Sequence, residues 1–147
     1  MNRTPSSTTS LLGKAKELEV AGALIRNGLY VFFPLVDAGF DLVVTNRLGT
    51  AFVPVQVKYR AKDPGLGLKK KDRDLFQGSR VVVAWVIGAG ASERCWYIPF
   101  AEWHAKAKDL NRADGLVYVS IGESEPWLSK YEGDSGISHS FRSLLVK

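Results

Sequence analysis

The chain has 147 residues, which suits one domain with a real core and no need for disulfide or metal staples. Apolar content is ordinary, and no apolar run reaches the length of a membrane-crossing helix. Twenty Lys and Arg against fifteen Asp and Glu give a net charge of +5 and a pI near 9.4, a balance that favours a polyanionic partner. Residues 1–10, "MNRTPSSTTS", lack the apolar stretch of a signal peptide and read as a flexible polar tail. Cys95 is the only cysteine, so no intrachain disulfide can form and a reducing cytoplasm is the expected setting.

"SLLGKAKELEVAGALIRNG" predicts the first helix, with Leu11, Ala15, Leu18, Gly22 and Ile25 as its apolar stripe and Asn27-Gly28 as its stop. Val20, Ala21 and Leu24 widen that stripe. Glu17 precedes them by three, four and seven residues, at the stripe's edge, where a carboxylate needs a partner. Glu19 points in a more solvated direction. "LYVFFP" is a short strand closed by Pro34. Asp37 in "VDAG" is expected to cap a turn rather than serve a site.

"VDAGFDLVVTNRLGTAFVPVQVKYR" predicts two strands around "NRLGT", with Asp41 opening the first of them. In the second, Val53, Val55, Val57 and Tyr59 alternate with Pro54, Gln56, Lys58 and Arg60, as in a strand with one core face and one polar face. "KDPGLGLKKKDRD" reads as a loop with a short helix near 72–77. "RVVVAWVIG" is apolar throughout, as in a strand buried on both faces. "CWYIP" is a further strand, "FAEWHAKAKDL" a helix and "GLVYVSI" the last clear strand. Residues 11–121 form the expected domain, and 122–147 a loose Gly- and Ser-rich tail packed on it through Trp127 and Tyr131. The order implies an α/β sandwich with a mixed sheet.

Glu17, Asp41, Gln56 and Lys58 come from three elements and are expected to meet where the meander strands diverge. Two carboxylates and an amide oxygen are hard donors of the kind Mg²⁺ takes. A lysine on the same strand face can orient an attacking water or offset charge developing on a phosphate. The basic cluster of Arg60, Lys62, Lys69, Lys70, Lys71 and Arg73 follows at once and suits a DNA backbone. Against this stand the ordinary readings: a wet strand face, and charge runs that are merely solvated.

Other chemistries lack support. His104 and His139 have no metal-ligand companion at helical spacing and read as surface residues. There is no nucleophile elbow, Cys95 lies in an apolar strand, and no glycine-rich nucleotide loop follows a strand. Tyr59 reads as core. Trp85, Trp96, Trp103 and Trp127 read as core or tail anchors, not as base-stacking platforms.

"GKAKELEVAGALIRNGLYVFFP", "FDLVV" and "VQVKYR" together resemble the PD-(D/E)XK nuclease superfamily, in particular its small branch with Gln before X-Lys. "WYIPFAEW" is similar to a strand-Ile-Pro-acidic segment of that branch, so the resemblance spans roughly Gly13 to Trp103. It includes Holliday-junction resolvases and restriction and homing endonucleases. The resemblance implies a restriction-endonuclease-like αβββαβ core with a mixed central sheet flanked by helices. It implies a DNA endonuclease dependent on Mg²⁺ or Mn²⁺, with Glu17, Asp41 and Gln56 holding metal and Lys58 completing the catalytic set. Gln56 stands where an acidic residue is usual, which leaves a catalytically inactive DNA-binding or assembly module as the alternative. Cutting both strands would call for a homodimer or higher oligomer.

Overall fold

The computed structural model describes residues 5–36, 39–62, 65–121 and 125–145. Asp37 lies outside them. A meander opens the sheet: β1 (Tyr30–Phe32), β2 (Leu42–Thr45) and β3 (Phe52–Arg60) pair antiparallel. After a crossover, β5 (Val82–Ile87) lies parallel to β3, and β6 (Arg94–Pro99) returns antiparallel beside it. The result is a five-stranded mixed sheet in the order β1-β2-β3-β5-β6.

Each face of this sheet carries its own core. On one, α1 (Pro5–Arg26) presses Val20, Ala21 and Leu24 onto Val55, Val82 and Ala84. The other is covered by a small sheet in the order β4-β8-β7, formed by β4 (Gly65–Leu68), β7 (Lys108–Asp109) and β8 (Val117–Ser120). Leu66, Leu68 and Val119 from that sheet, with Phe76 of α2 (Lys70–Phe76) and Trp103 of α3 (Phe100–Lys106), pack on Val83, Trp85 and Ile98. All six residues of β5 are buried, because both of its faces are covered. The αβββαβ order is present, with β4 inserted in the crossover before α2.

Several details depart from the sequence reading. The face of α1 that enters the core is Val20, Ala21 and Leu24, whereas Leu11, Leu18 and Ile25 are 68, 56 and 58 % exposed. α1 also begins at Pro5, within the stretch read as a tail. "GLGL" is a strand rather than loop, because it pairs with Val117–Ser120 along its whole length. Residues 126–145 are not loose: a 3-10 turn (Pro126–Tyr131), α4 (Gly133–Ser140) and α5 (Arg142–Leu145) place Leu128, Tyr131, Ile137, Phe141 and Leu144 in the cores. The helix expected over 100–110 ends at Lys106, and Lys108–Asp109 joins the small sheet. Among the described residues no helix is long and apolar enough to cross a membrane.

Candidate active site

β2 starts only at Leu42, opposite Val55, so β3 runs on past it without an antiparallel neighbour. Asp41 stands at this parting. Its own N–H donates to the Val55 carbonyl at 2.9 Å, and its Oδ2 accepts from the Val57 N–H at 2.7 Å. The carboxylate thereby closes the bare edge of β3 and is itself held rigidly. α1 crosses above with Glu17 facing the same spot and Gly13 one turn before it. Gly13, Glu17, Asp41, Gln56 and Lys58 line one open cleft of about 260 Å³. No heavy atom lies within 4 Å of where a Gly13 side chain would begin, so the cleft mouth is open at that turn.

The electrostatics of the cleft centre on two carboxylates. Asp41 is pushed up to about 6, first by burial and then by the neighbouring Glu17 carboxylate, against the lowering effects of the Val57 N–H and Lys58. Glu17 has one cation at hand, Lys14 at 2.9 Å on the exposed side of the helix. The Gln56 amide faces the cleft and makes no hydrogen bond with a described residue. Two carboxylates and an amide oxygen converging in one cleft form a hard-oxygen donor set that suits Mg²⁺ or Mn²⁺. Among the described residues there is no group of three or more His, Cys, Asp or Glu placed to hold a metal. The fit therefore depends on the amide as third donor.

Lys58 shares its strand face with Gln56, as the alternation requires. Its ammonium pairs with Asp72 of α2 at 3.1 Å, both side chains being about one-fifth exposed. The sequence reading missed Asp72. The signal available was an acidic residue in the first turn of a helix a short crossover away from Lys58, inside a run otherwise dominated by Lys. Tyr59, read as core, packs on the first core and touches the cleft from the opposite strand face, with Lys16 over its ring at 5.1 Å. Glu19 turns away and pairs with Lys16 at 3.1 Å.

The basic cluster divides in the structure. Arg60, Lys62, Lys69, Lys70 and Lys71 are exposed. Lys70 pairs with Asp74 on its own helix, at 2.5 Å. Arg73 is different: its Nη2 donates to the Gly115 carbonyl at 2.5 Å and ties α2 to the β7–β8 connection. That part of the run is a helix, α2, with Lys69 as its N-cap, so the short helix expected near 72–77 is present and begins two residues earlier, at Lys70. His104 is exposed and stacks on Phe100 at 5.4 Å, whereas His139 is half-buried against Tyr131 at 5.2 Å. Burial pushes the Cys95 thiol up to about 12, which keeps it unreactive.

Comparison with known proteins agrees at the level of fold. No family model matches the chain, and no curated protein sequence matches it significantly. Among solved structures it is similar to Hjc, a Holliday junction resolvase from the archaeal hyperthermophile Archaeoglobus fulgidus, at 18 % identity and a TM-score of 0.53. The match covers 76 % of this chain and 84 % of that one. The chain thus has the restriction-endonuclease-like α/β fold, a mixed sheet flanked by helices.

Proposed function

We propose that this chain is a divalent-metal-dependent DNA endonuclease of the PD-(D/E)XK superfamily, from the small branch that carries Gln before X-Lys. The observation that supports it best is the convergence of Glu17, Asp41, Gln56 and Lys58 in one cleft at the parting of β2 and β3. The fold shared with a Holliday junction resolvase supports the same reading.

Asp41, Gln56 and Glu17 would hold Mg²⁺ or Mn²⁺. When bound, the ion supplies Lewis-acid stabilisation of the scissile phosphate and a more acidic water. Asp41 is oriented by the Val57 N–H, so its second oxygen is presented to the cleft. Lys58 is a cation on a rigid strand, and its charge offsets that developing on the phosphate in the transition state. Asp72 restrains the Lys58 ammonium until a phosphate competes for it. Arg60, Lys62, Lys69, Lys70 and Lys71 contact the DNA backbone without reading sequence. Cleavage of both strands is assigned to a homodimer or higher oligomer, in a cytoplasmic setting. Plasmid nicking with Mg²⁺, repeated with EDTA, tests the proposal. Nicking that needs the metal and fails in Asp41→Ala is expected. DNA binding without any metal-dependent nicking would leave the inactive DNA-binding or assembly module as the better description.

A further inference from the structure

A second and larger hollow, about 590 Å³, opens beside Lys58 and Arg60, against the small sheet and the β7–β8 connection. Its volume is in the range of pockets that enclose a nucleotide-sized ligand. Lys69 and Arg112 add positive charge to Lys58 and Arg60, and among the described residues Asp114 is its one acidic wall residue. Arg112 pairs with Asp114 at 3.0 Å, and Lys58 with Asp72. Arg60 and Lys69 have no carboxylate partner among the described residues, so their charge is available to an anion.

The remaining walls are apolar and aromatic. Leu110 lies at the rim, 43 % exposed, and Leu116 and Tyr118 lie deeper, with Trp85 at the back. The register of the small sheet explains why. Leu66 and Leu68 pair with Val119 and Val117 on the core side. Gly65 and Gly67 therefore share the cavity side with Tyr118 and Leu116. A Cβ at Gly65 would come within 2.5 Å of the Tyr118 ring, and one at Gly67 within 3.0 Å of Leu116. The two glycines are thus what lets an aromatic ring and a leucine lie flat over β4 and border an open cavity.

A duplex backbone needs only surface cations. A concave hollow that combines an aromatic ring, apolar walls and free cations suits a base together with its phosphate. A paired base is held inside its stack and cannot enter such a hollow, whereas an unpaired one can. Resting on the nuclease reading above, we infer that this cavity is a binding site for one unpaired nucleotide of the DNA, adjacent to the phosphate presented to the carboxylate cleft. The base lies against Tyr118 and Leu116, and Arg60 and Lys69 take its phosphate. Lys58 and Arg60 border both hollows, so the nucleotide held here sits next to the reacting one.

The test is binding of two duplexes in EDTA, identical except that one carries a single unpaired 2-aminopurine nucleotide. Fluorescence anisotropy should give about tenfold tighter binding for the bulged duplex, as expected for one base–aromatic stack, with a change in 2-aminopurine emission. Tyr118→Ala should remove that preference and leave the paired duplex bound as before. Should Tyr118→Ala not fold, Leu110→Glu at the exposed rim should remove the same preference. Binding of the two duplexes within twofold by the unaltered protein would overturn the inference. So would a Tyr118→Ala variant that loses affinity equally for both. EDTA keeps catalysis out of the readout. A protein that keeps the preference but never nicks with Mg²⁺ loses only the nuclease reading, and one that nicks without preference loses only this one.

Discussion

The carboxylate cleft and the cavity against the small sheet share Lys58 and Arg60, and they are built in opposite ways. The cleft is small and open, and its chemistry comes from the edge of a strand that has lost its neighbour. There Asp41 substitutes for a β-partner at Val57, and Glu17 descends from a helix. The cavity is larger, and its character comes from a second sheet laid over the first, with Gly65 and Gly67 on the face turned away from the core. The cleft sets two carboxylates beside Lys58 and Arg60, and the cavity adds Lys69 and Arg112 to those same two cations. A cation and a phosphate could therefore be held side by side. Lys58 marks the boundary, restrained by its pairing with Asp72.

The sharpest way to break this contrast is to remove the negative side. Asp41→Ala should abolish Mg²⁺ binding by calorimetry and reduce nicking by about a thousandfold or more, since it takes away both a donor and the anchor at Val57. A variant that binds metal and nicks like the parent would refute the nuclease assignment. Lys58→Ala should separate the two hollows. Metal binding should remain near the parent level while turnover falls by about a hundredfold or more, because the lysine acts in the transition state. Asp72→Asn sharpens the point further: it keeps the shape and releases the ammonium. The expected loss is about tenfold in turnover, the size typical of a group that orients another, with binding of paired DNA unchanged or slightly tighter. An Asp72→Asn enzyme as fast as the parent would mean the ion pair is only structural.

How much of this was legible in the sequence differs between the same two regions. The cleft residues sit on elements with strong patterns: a long amphipathic helix and a strand whose alternation sorts Gln56 and Lys58 from Val55 and Val57. Which face of α1 docks was less clear, because Leu11, Leu18 and Ile25 make as regular a stripe as Val20, Ala21 and Leu24. Only tertiary docking decides between two such stripes, and the edge position of Glu17 pointed to the second. The cavity was hidden. "GLGL" has little strand propensity, and its strand character comes from pairing with β8, more than forty-five residues away in the sequence. The final helices were masked by Gly and Ser, although Ile137, Phe141 and Leu144 recur at helical spacing. Asp72 could not be placed without knowing that the crossover folds back over β3.

Salt dependence probes the outer rim that both hollows share. Replacing Lys69, Lys70 and Lys71 by Ala should weaken DNA binding across all sequences and lower the slope of log K against log salt by up to about 0.9 for each phosphate no longer neutralised. The slope should fall less than three fully engaged lysines would give, because Lys70 is already held by Asp74. Arg73 is best left intact in this experiment, since it holds α2 to the β7–β8 connection. An unchanged slope would put the DNA on another face.

The smallest expected effect is on stability, and it tests the cleft without any DNA. Asp41 ionises near 3.8 when unperturbed and near 6 in the folded chain. The folded state therefore holds a proton that the unfolded state has released across that interval. Stability falls as pH rises wherever the native state binds more protons, so the metal-free protein should lose stability from about pH 4 up through about 6 and then level off. For a half-buried carboxyl the loss, after solvent screening, is about 1 kcal/mol, or about 2–4 °C in Tm for a chain of this size. Asp41→Asn keeps an oxygen for the Val57 N–H and removes the charge that burial and Glu17 oppose. It should raise the metal-free Tm by that amount above pH 7, with the gain vanishing near pH 4, while losing metal-dependent nicking. Mg²⁺ should raise the Tm of the parent and not of the variant. Equal Tm values for parent and Asp41→Asn at every pH would mean the two carboxylates do not oppose each other, and the case for a cation between them would lose its electrostatic basis.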